Sequence, residues 1–149
     1  MYMEIRILAA DHAEEVAQVH RTSFDDRLPW LAGLHTPEED RDFFRERVFH
    51  DCRVFGAFDG DRLVGFIAFR QGWIDQLYVL PAAQGRGAGT ALLAAARAEI
   101  PELSLWTFQK NVVARRFYER NGFIAVEETD GRGNEEKEPD VRYVCPGAK

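Results

Sequence analysis

Residues 73–96 read WIDQLYVLPAAQGRGAGTALLAAA, and this stretch decides the fold. A β-rich run ends at Pro81, three glycines alternate within five positions, and an alanine-rich segment follows. The pattern predicts a strand, a tight loop and a helix that begins near Arg86. Because the first N–H groups of a helix lack partners and glycine has no Cβ atom, such a junction suits a phosphate group. The alternative is a turn that only packs the helix closely on the strand.

Two helices and a hairpin are predicted before this stretch, after a first strand at residues 3–8. Asp11 is expected to cap the first helix, and Pro37 stands at the first position of the second. An Asp-Gly-Asp turn at residues 59–61 then separates two β-rich runs, as in a hairpin. The helical side chains expected to face the core are Ala13, Val16, Val19, Phe43, Phe44 and Val48.

One strand, one helix and two final strands are predicted after it. Asn111 is expected to cap the last helix, and Gly122 to end it. The complete order is β-α-α-β-β-β-α-β-α-β-β, which predicts an α/β fold with a central mixed sheet of about seven strands flanked by four helices. The strand from Trp73, its helix and the next strand form a right-handed βαβ unit. No linker divides the chain, so residues 1–149 are expected to form a single domain.

Composition narrows the class of protein. The net charge of −6 argues against nucleic acid as a partner, because phosphate-binding domains are usually basic. The first residues do not resemble a secretory leader and no apolar run is long enough to span a membrane, so we expect a cytoplasmic protein. Two cysteines in 149 residues do not form a disulfide scaffold. The four histidines are scattered, so no metal site is predicted.

The glycine segment fits one phosphate-binding pattern and fails two others. No lysine follows Gly89, which disfavours a nucleoside triphosphatase. The sixth position of a dinucleotide fingerprint is Thr90 or Leu92 instead of glycine or alanine. The sequence does fit Gln/Arg-x-x-Gly-x-Gly/Ala, at residues 84–89.

This pattern resembles the acyl-CoA motif of the GNAT superfamily of acyl-CoA-dependent N-acetyltransferases. Residues 103–123, LSLWTFQKNVVARRFYERNGF, resemble the second signature of that family, and the order of elements agrees over nearly the whole chain. The resemblance implies that the strand before the loop carries a bulge and splays from its neighbour. Acetyl-CoA, the acyl donor, would lie in the resulting V.

The resemblance also implies which residues bind the coenzyme. Backbone groups of Leu77, Tyr78 and Val79 would meet the pantetheine arm, with the Val79 N–H on the thioester carbonyl. The pyrophosphate would lie on the loop residues Gln84, Gly85, Arg86, Gly87, Ala88, Gly89 and Thr90. The next helix would add Asn111, Ala114 and Phe117, although Asn111 could serve only as a cap and Phe117 only as core. Further positive charge would come from Arg86, Lys110, Arg115 or Arg116, and a solvated helix face is the alternative for the last two.

Two catalytic residues are implied in the same way. Tyr118 lies seven residues after Asn111, on the same helix face, and the family uses a tyrosine at this place as general acid. The alternative is an aromatic ring that only packs on Ala114. Asp75 shares the strand face of Leu77, with Gln76 on the other face, and is the candidate general base or amine anchor. Its alternative is a solvated strand acid.

The acceptor is expected to be a primary amine, from a small molecule or a protein, that attacks acetyl-CoA directly in a ternary complex. The pocket is expected near Trp30, Leu31 and Leu34, which could instead join the core or a dimer surface. His20, Asp25, Asp26 and His35 lie in the same region. Residues 127–140 carry seven acidic and two basic side chains, which suits a cationic acceptor or a solvated loop. A non-catalytic acyl-CoA-binding or partner-binding module on this fold is the other function class. Homodimers are common in the family.

Overall fold

The computed structural model describes residues 3–146, and its elements follow the predicted order. Its seven strands are β1 Glu4–Ile7, β2 Arg53–Asp59, β3 Arg62–Arg70, β4 Trp73–Val79, β5 Leu103–Phe108, β6 Ile124–Thr129 and β7 Asp140–Cys145. The main helices are α1 Ala13–Arg27, α2 Pro37–Phe43, α3 Ala88–Glu99 and α4 Val112–Arg120. A wider π-helical segment, Phe44–Val48, and a last turn, Phe49–Asp51, extend α2 to β2.

All seven strands form one mixed sheet in the order β1-β2-β3-β4-β5-β7-β6. Neighbouring strands are antiparallel except β4 and β5, which are parallel and joined through α3, as the βαβ pattern predicts. The predicted fold class is therefore confirmed. The Asp59–Arg62 hairpin between β2 and β3 is also confirmed.

Helices cover both faces of the sheet. The Phe44 ring packs on Phe66 of β3, whereas a Cβ atom at the adjacent Gly65 would lie against Leu92 of α3. Because consecutive strand residues point to opposite faces, the α2 region and α3 lie on opposite sides. The core between them is almost wholly apolar, and Phe66, Ile67, Phe69, Leu92 and Leu103 are fully buried.

The parallel junction between β4 and β5 is short. Their ladder contains a single pair, Trp73 with Ser104, beside a hydrogen bond of 2.8 Å from the Ser104 N–H to the Gly72 carbonyl. Beyond this pair the strands separate, so β4 loses its neighbour on one side from about Ile74 to its end. The splay that the resemblance implies is therefore present, and it opens toward the glycine loop.

Three local predictions need correction. Asp11 lies inside a short turn before α1, and no side chain caps that helix. Phe43 is about half exposed, while Phe44 and Val48 are buried. Neighbouring helix positions differ by about 100°, so Phe43 and Phe44 do not share one face. Helix α3 begins at Ala88 instead of Arg86, because Gly87 adopts a left-handed conformation that stops the helix there.

Two other features agree with the sequence. Thr36 and Glu39 form a reciprocal capping box at the start of α2, and Asn111 accepts a hydrogen bond from the Ala114 N–H at the start of α4.

Within residues 3–146, none of the helices has the length and apolar character that a membrane crossing requires.

Candidate active site

A cleft of about 340 Å³, here called the coenzyme cleft, lies between the splayed end of β4, the glycine loop and α4. Its walls include Tyr118 and all but one of the residues predicted to bind acetyl-CoA. These are Leu77, Tyr78, Val79, Gln84, Gly85, Gly87, Ala88, Gly89, Thr90, Asn111, Ala114 and Phe117. The exception is Arg86, whose guanidinium lies 3.7 Å from the Asp59 carboxylate on the hairpin.

The glycine loop presents backbone to this cleft. Gly85 and Gly87 have φ angles of +80° and +85°, which disfavour any residue with a Cβ atom, and open space surrounds the position where that atom would lie. The Ala91 N–H is the first in α3 to bond within the helix, to the Gly87 carbonyl. The N–H groups of Ala88, Gly89 and Thr90 therefore form a free helix N-terminus, which favours an anion.

Gly89 has a different role from the other two glycines. A Cβ atom there would lie 3.2 Å from the Phe117 ring, so the absence of a side chain lets α3 and α4 pack closely. Gly89 thus serves close helix packing, whereas Gly85 and Gly87 leave room for the phosphate that the other interpretation predicts.

The end of β4 directs backbone groups into the cleft. The Leu80 N–H donates to the Val64 carbonyl at 2.8 Å, and in an antiparallel ladder every second residue bonds to the same neighbour. The polar groups of Tyr78 therefore face β3, and those of Leu77 and Val79 face the gap. The Val79 carbonyl accepts hydrogen bonds from Ser23 Oγ at 3.2 Å and Gln84 Nε2 at 2.9 Å.

Tyr118 lies at the inner end of the coenzyme cleft. Its ring packs on Phe117, Phe123 and Tyr143, and only 6% of the residue is exposed. Burial raises the pKa of Tyr118 well above its usual value, and the nearby Tyr78 adds a smaller effect in the same direction. The hydroxyl therefore stays protonated at neutral pH and is able to donate a proton.

A second and larger cavity, of about 850 Å³, lies on the other side of β4 and is here called the acceptor cavity. Residues of α1, α2, β4, β5 and the β6–β7 loop line it. A narrow channel of about 60 Å³ between β4 and β5 is lined by Leu77 and Tyr118. Tyr78 and Asn111 contribute to the cleft, the channel and the acceptor cavity alike, so the two sites meet at these residues.

His20 is a half-buried part of the acceptor cavity. Its ring lies 4.8 Å from that of Tyr78 and contacts Phe24 and Phe44, and its Nδ1 atom is shielded from solvent without a hydrogen-bond partner. Burial lowers the pKa of His20 to about 4, and the positive charge of Arg21 contributes. The imidazole is therefore neutral at pH 7.

Asp75 is the extra residue of a β-bulge, because Ile74 pairs with Phe69 and Gln76 pairs with Ala68. The bulge interrupts the alternation of β4, so Asp75 and Gln76 both line the acceptor cavity, although opposite faces were predicted. The Asp75 carboxylate accepts hydrogen bonds from Arg70 at 2.8 Å and from the Cys52 thiol at 3.3 Å. Burial and the Asp75 charge raise the pKa of Cys52 to about 12, so this thiol is protonated.

Six carboxylates from separate parts of the chain line the acceptor cavity. They belong to Glu39, Asp40, Asp75, Glu135, Glu136 and Asp140. In the described part of the chain, no three His, Cys, Asp or Glu residues are grouped as metal ligands would be. Among the predicted apolar residues, Leu34 lines this cavity, Leu31 is buried with Phe24 and Leu28, and Trp30 is half exposed.

The positive charges at the coenzyme cleft differ from those predicted. Lys110 lies near Glu138 and over the Trp30 ring, and Arg115 bonds to Tyr143, so both are directed elsewhere. Arg27 and Arg120 line the cleft instead. They are the last residues of α1 and α4, a placement typical of basic residues in any helix, so no local signal distinguishes them. Ser23 was also missed, since its partner Val79 is 56 residues away.

Comparison with known proteins agrees with this geometry. The family model described as "Acetyltransferase (GNAT) family" matches residues 13–123. The peptidyl-lysine N-acetyltransferase YiaC of Escherichia coli is 36% identical over 67 residues, which is 44% of this chain and 46% of that protein. The match thus spans about half the length of the curated relative.

Two solved structures are similar over almost their whole length. Apo YjaB from Escherichia coli superposes with a TM-score of 0.81 at 24% identity, covering 99% of this chain and 100% of that one. The PaiA N-acetyltransferase from Thermoplasma acidophilum, solved with coenzyme A, has a TM-score of 0.74 at 24% identity, covering 97% and 99%. At these identities the likeness concerns the fold.

Proposed function

The chain belongs to the GNAT family of acetyltransferases, and from this premise we propose that it transfers the acetyl group of acetyl-CoA to a primary amine. The reaction takes place in a ternary complex. Acetyl-CoA occupies the coenzyme cleft, and the amine enters from the acceptor cavity. The proposed setting is the cytoplasm.

One observation carries the proposal: a cleft lined by the glycine loop, the start of α3 and the unpaired edge of β4 contains the buried, protonated Tyr118 and meets a second cavity at Tyr78 and Asn111. The glycine loop and the first turn of α3 suit a pyrophosphate. The gap beside Leu77 and Val79 suits the pantetheine arm, which would take up the hydrogen bonds that β5 does not supply. Arg27 and Arg120 add positive charge for the phosphates.

The proposed chemistry has two bond changes. The lone pair of the neutral amine attacks the thioester carbonyl carbon and forms a C–N bond, which places negative charge on the carbonyl oxygen. The Val79 N–H, or that of Leu77 beside the channel, stabilises this oxyanion. The C–S bond then breaks, and the CoA thiolate takes the proton of Tyr118.

The amine, which is protonated in water, must lose a proton before it attacks, and Asp75 stays the predicted acceptor of that proton. The second proton, released from nitrogen once the C–N bond has formed, passes to solvent, and Tyr118 regains its own proton from solvent. The Asp75 carboxylate lies on the wall of the acceptor cavity and in the channel. Because Arg70 holds it in an ion pair, it would act through a water molecule. The acetylated amine and CoA then leave through opposite mouths.

Relatives support an amine acceptor without identifying it. YiaC is a peptidyl-lysine acetyltransferase, and PaiA is an N-acetyltransferase that was solved with coenzyme A. We propose an amine of a small molecule or a lysine side chain, which would enter the acceptor cavity from solvent.

The test is calorimetric titration with acetyl-CoA of the wild type and of Gly87→Trp. The substitution places a large side chain in the cleft, so we expect binding to fall at least about a hundredfold. Gly72→Trp is the matched control, because Gly72 has a φ of +82° and equally open space but lies at the other end of β4. Equal binding by all three folded proteins would contradict the proposed cleft. Binding without amine-dependent release of CoA would identify a binding module instead.

A further inference from the structure

We propose that Glu136 is the carboxylate that binds the positively charged amine of the acceptor. This inference rests on the proposed function and identifies the acceptor as a cationic alkylamine, held in the acceptor cavity by charge. The sequence alone pointed to Asp75 for this role.

Glu136 differs from the other carboxylates of the cavity in having no partner. Asp40 is bound by Arg21, Asp75 by Arg70, and Glu135 by His35. Glu39 closes the capping box of α2, and Asp140 bonds to Thr129 and Asn134. Within residues 3–146, the half-buried Glu136 has neither a hydrogen bond nor an ion pair. A partly desolvated charge without a partner is costly, and a bound cation would remove that cost.

Glu136 also lies in the cavity from which the reacting nitrogen would enter. Glu136 and Tyr78 line the same cavity, and after burial the negative charge of Glu136 is a lesser cause of the raised pKa of Tyr78. Tyr78 lines the acceptor cavity, the channel and the coenzyme cleft. An ammonium group bound by Glu136 therefore shares the acceptor cavity with Tyr78, where this cavity meets the coenzyme cleft.

The rest of the cavity suits a cation. Arg21, the one arginine among the described residues that line it, is neutralised by Asp40 and Asp25, and the neutral His20 adds no charge. Six aromatic side chains line the walls: Phe24, Phe43, Phe44, Tyr78, Trp106 and Phe108. Aromatic rings attract cations through their negative faces and accept the alkyl part of an amine.

The loop that carries Glu136 is held in place. The Asn134 side chain donates to the Glu138 carbonyl at 2.8 Å and accepts from the Glu138 N–H at 3.2 Å. The Trp30 indole N–H donates to Glu138 Oε1 at 2.7 Å, which ties this loop to the segment after α1. Gly131 is needed for this path, because a Cβ atom there would lie 2.3 Å from the Glu138 backbone. Glu136 is thus positioned before a ligand arrives.

The test uses 2-phenylethylamine, which is cationic at neutral pH, and the neutral 2-phenylethanol as its isostere. Their binding is measured by NMR titration, with and without CoA, for the wild type, Glu136→Gln and Glu135→Gln. Glu135 is the matched control, since it lies in the same cavity and loop but is paired with His35. We expect Glu136→Gln to weaken the amine about tenfold or more, Glu135→Gln to change it less than about threefold, and neither to affect the alcohol.

Equal loss in both variants, no loss in Glu136→Gln, or equal binding of amine and alcohol by the wild type would overturn the proposal. If Glu136→Gln fails to fold, Glu136→Asp replaces it, with an intermediate loss expected because the charge stays but its reach shortens. The readout does not depend on catalysis. Failure to bind acetyl-CoA would therefore remove the proposed function, while the charge-dependent amine binding would still decide on Glu136.

Discussion

The two cavities beside β4 differ in the groups that line them. The coenzyme cleft is made largely of backbone: a glycine loop, the first turn of α3 and the unpaired end of β4. The acceptor cavity is made of side chains from α1, α2, β4, β5 and the β6–β7 loop. Backbone groups are the same in nearly every residue, so we expect the cleft to tolerate substitutions that keep its conformation and leave its space open. In the acceptor cavity each substitution changes what is bound.

The largest expected effect is at the junction of the two sites. Tyr118→Phe removes the hydroxyl that would protonate the CoA thiolate, so we expect kcat to fall about a hundredfold or more, with acetyl-CoA binding unchanged. Steady-state rates of CoA release and calorimetry measure the two quantities.

Tyr143→Phe is the control for that change. The Tyr143 hydroxyl donates to Glu119 at 2.6 Å and accepts from Arg115 at 3.0 Å, and the residue lines neither cavity. This variant should lose about 1–2 kcal/mol of unfolding free energy and keep its kcat within about threefold. A similar fall in kcat for both variants would mean that Tyr118 acts only through packing.

The next effect concerns the acceptor cavity and the stability of the protein. Because the pKa of His20 is lowered to about 4, the unfolded chain takes up a proton between pH 6.5 and 4 while the folded protein does not. The free energy of unfolding should therefore decrease as the pH is lowered from 6.5 to 4, by at most about 3 kcal/mol. Above pH 6.5 this contribution of His20 is fully present. In His20→Phe this part of the pH dependence should disappear. Urea unfolding at pH 7 and at pH 4.5 measures the difference in unfolding free energy for the wild type and for His20→Phe. The same difference in both proteins would refute the neutral state of His20.

The smallest effect tests Asp75. Asp75→Asn keeps an acceptor for Arg70 but removes the charge, and we expect kcat/KM to fall about tenfold, because water in an open cavity can also take the amine proton. Arg70→Gln breaks the same exposed ion pair and should change unfolding by less than about 1 kcal/mol and kcat/KM by less than about threefold. Equal kinetic losses would show that the pair only supports the bulge.

Sequence reasoning succeeded where the information is local. The glycine loop, the Asn111 cap and the alternating strands each depend on residues within a few positions, so the order of elements was predictable. The residues that line the cleft were expected from the resemblance to the GNAT family. It failed where distant segments meet. The His20 ring packs on Tyr78, and Ser23 donates a hydrogen bond to the Val79 carbonyl. In both cases the two partners are more than 50 residues apart in the sequence. The bulge at Asp75 broke the alternation on which its orientation was predicted.

The single pair between β4 and β5 has a mechanical consequence. A seven-stranded sheet usually resists separation because every strand boundary carries several hydrogen bonds in parallel, but here one boundary is held by the Trp73–Ser104 pair and its neighbouring bond. A pulling force applied across the sheet would therefore separate β4 from β5 first. A pantetheine arm bonded to the edge of β4 would add hydrogen bonds in this gap, so we expect acetyl-CoA binding to stabilise the protein most at this boundary.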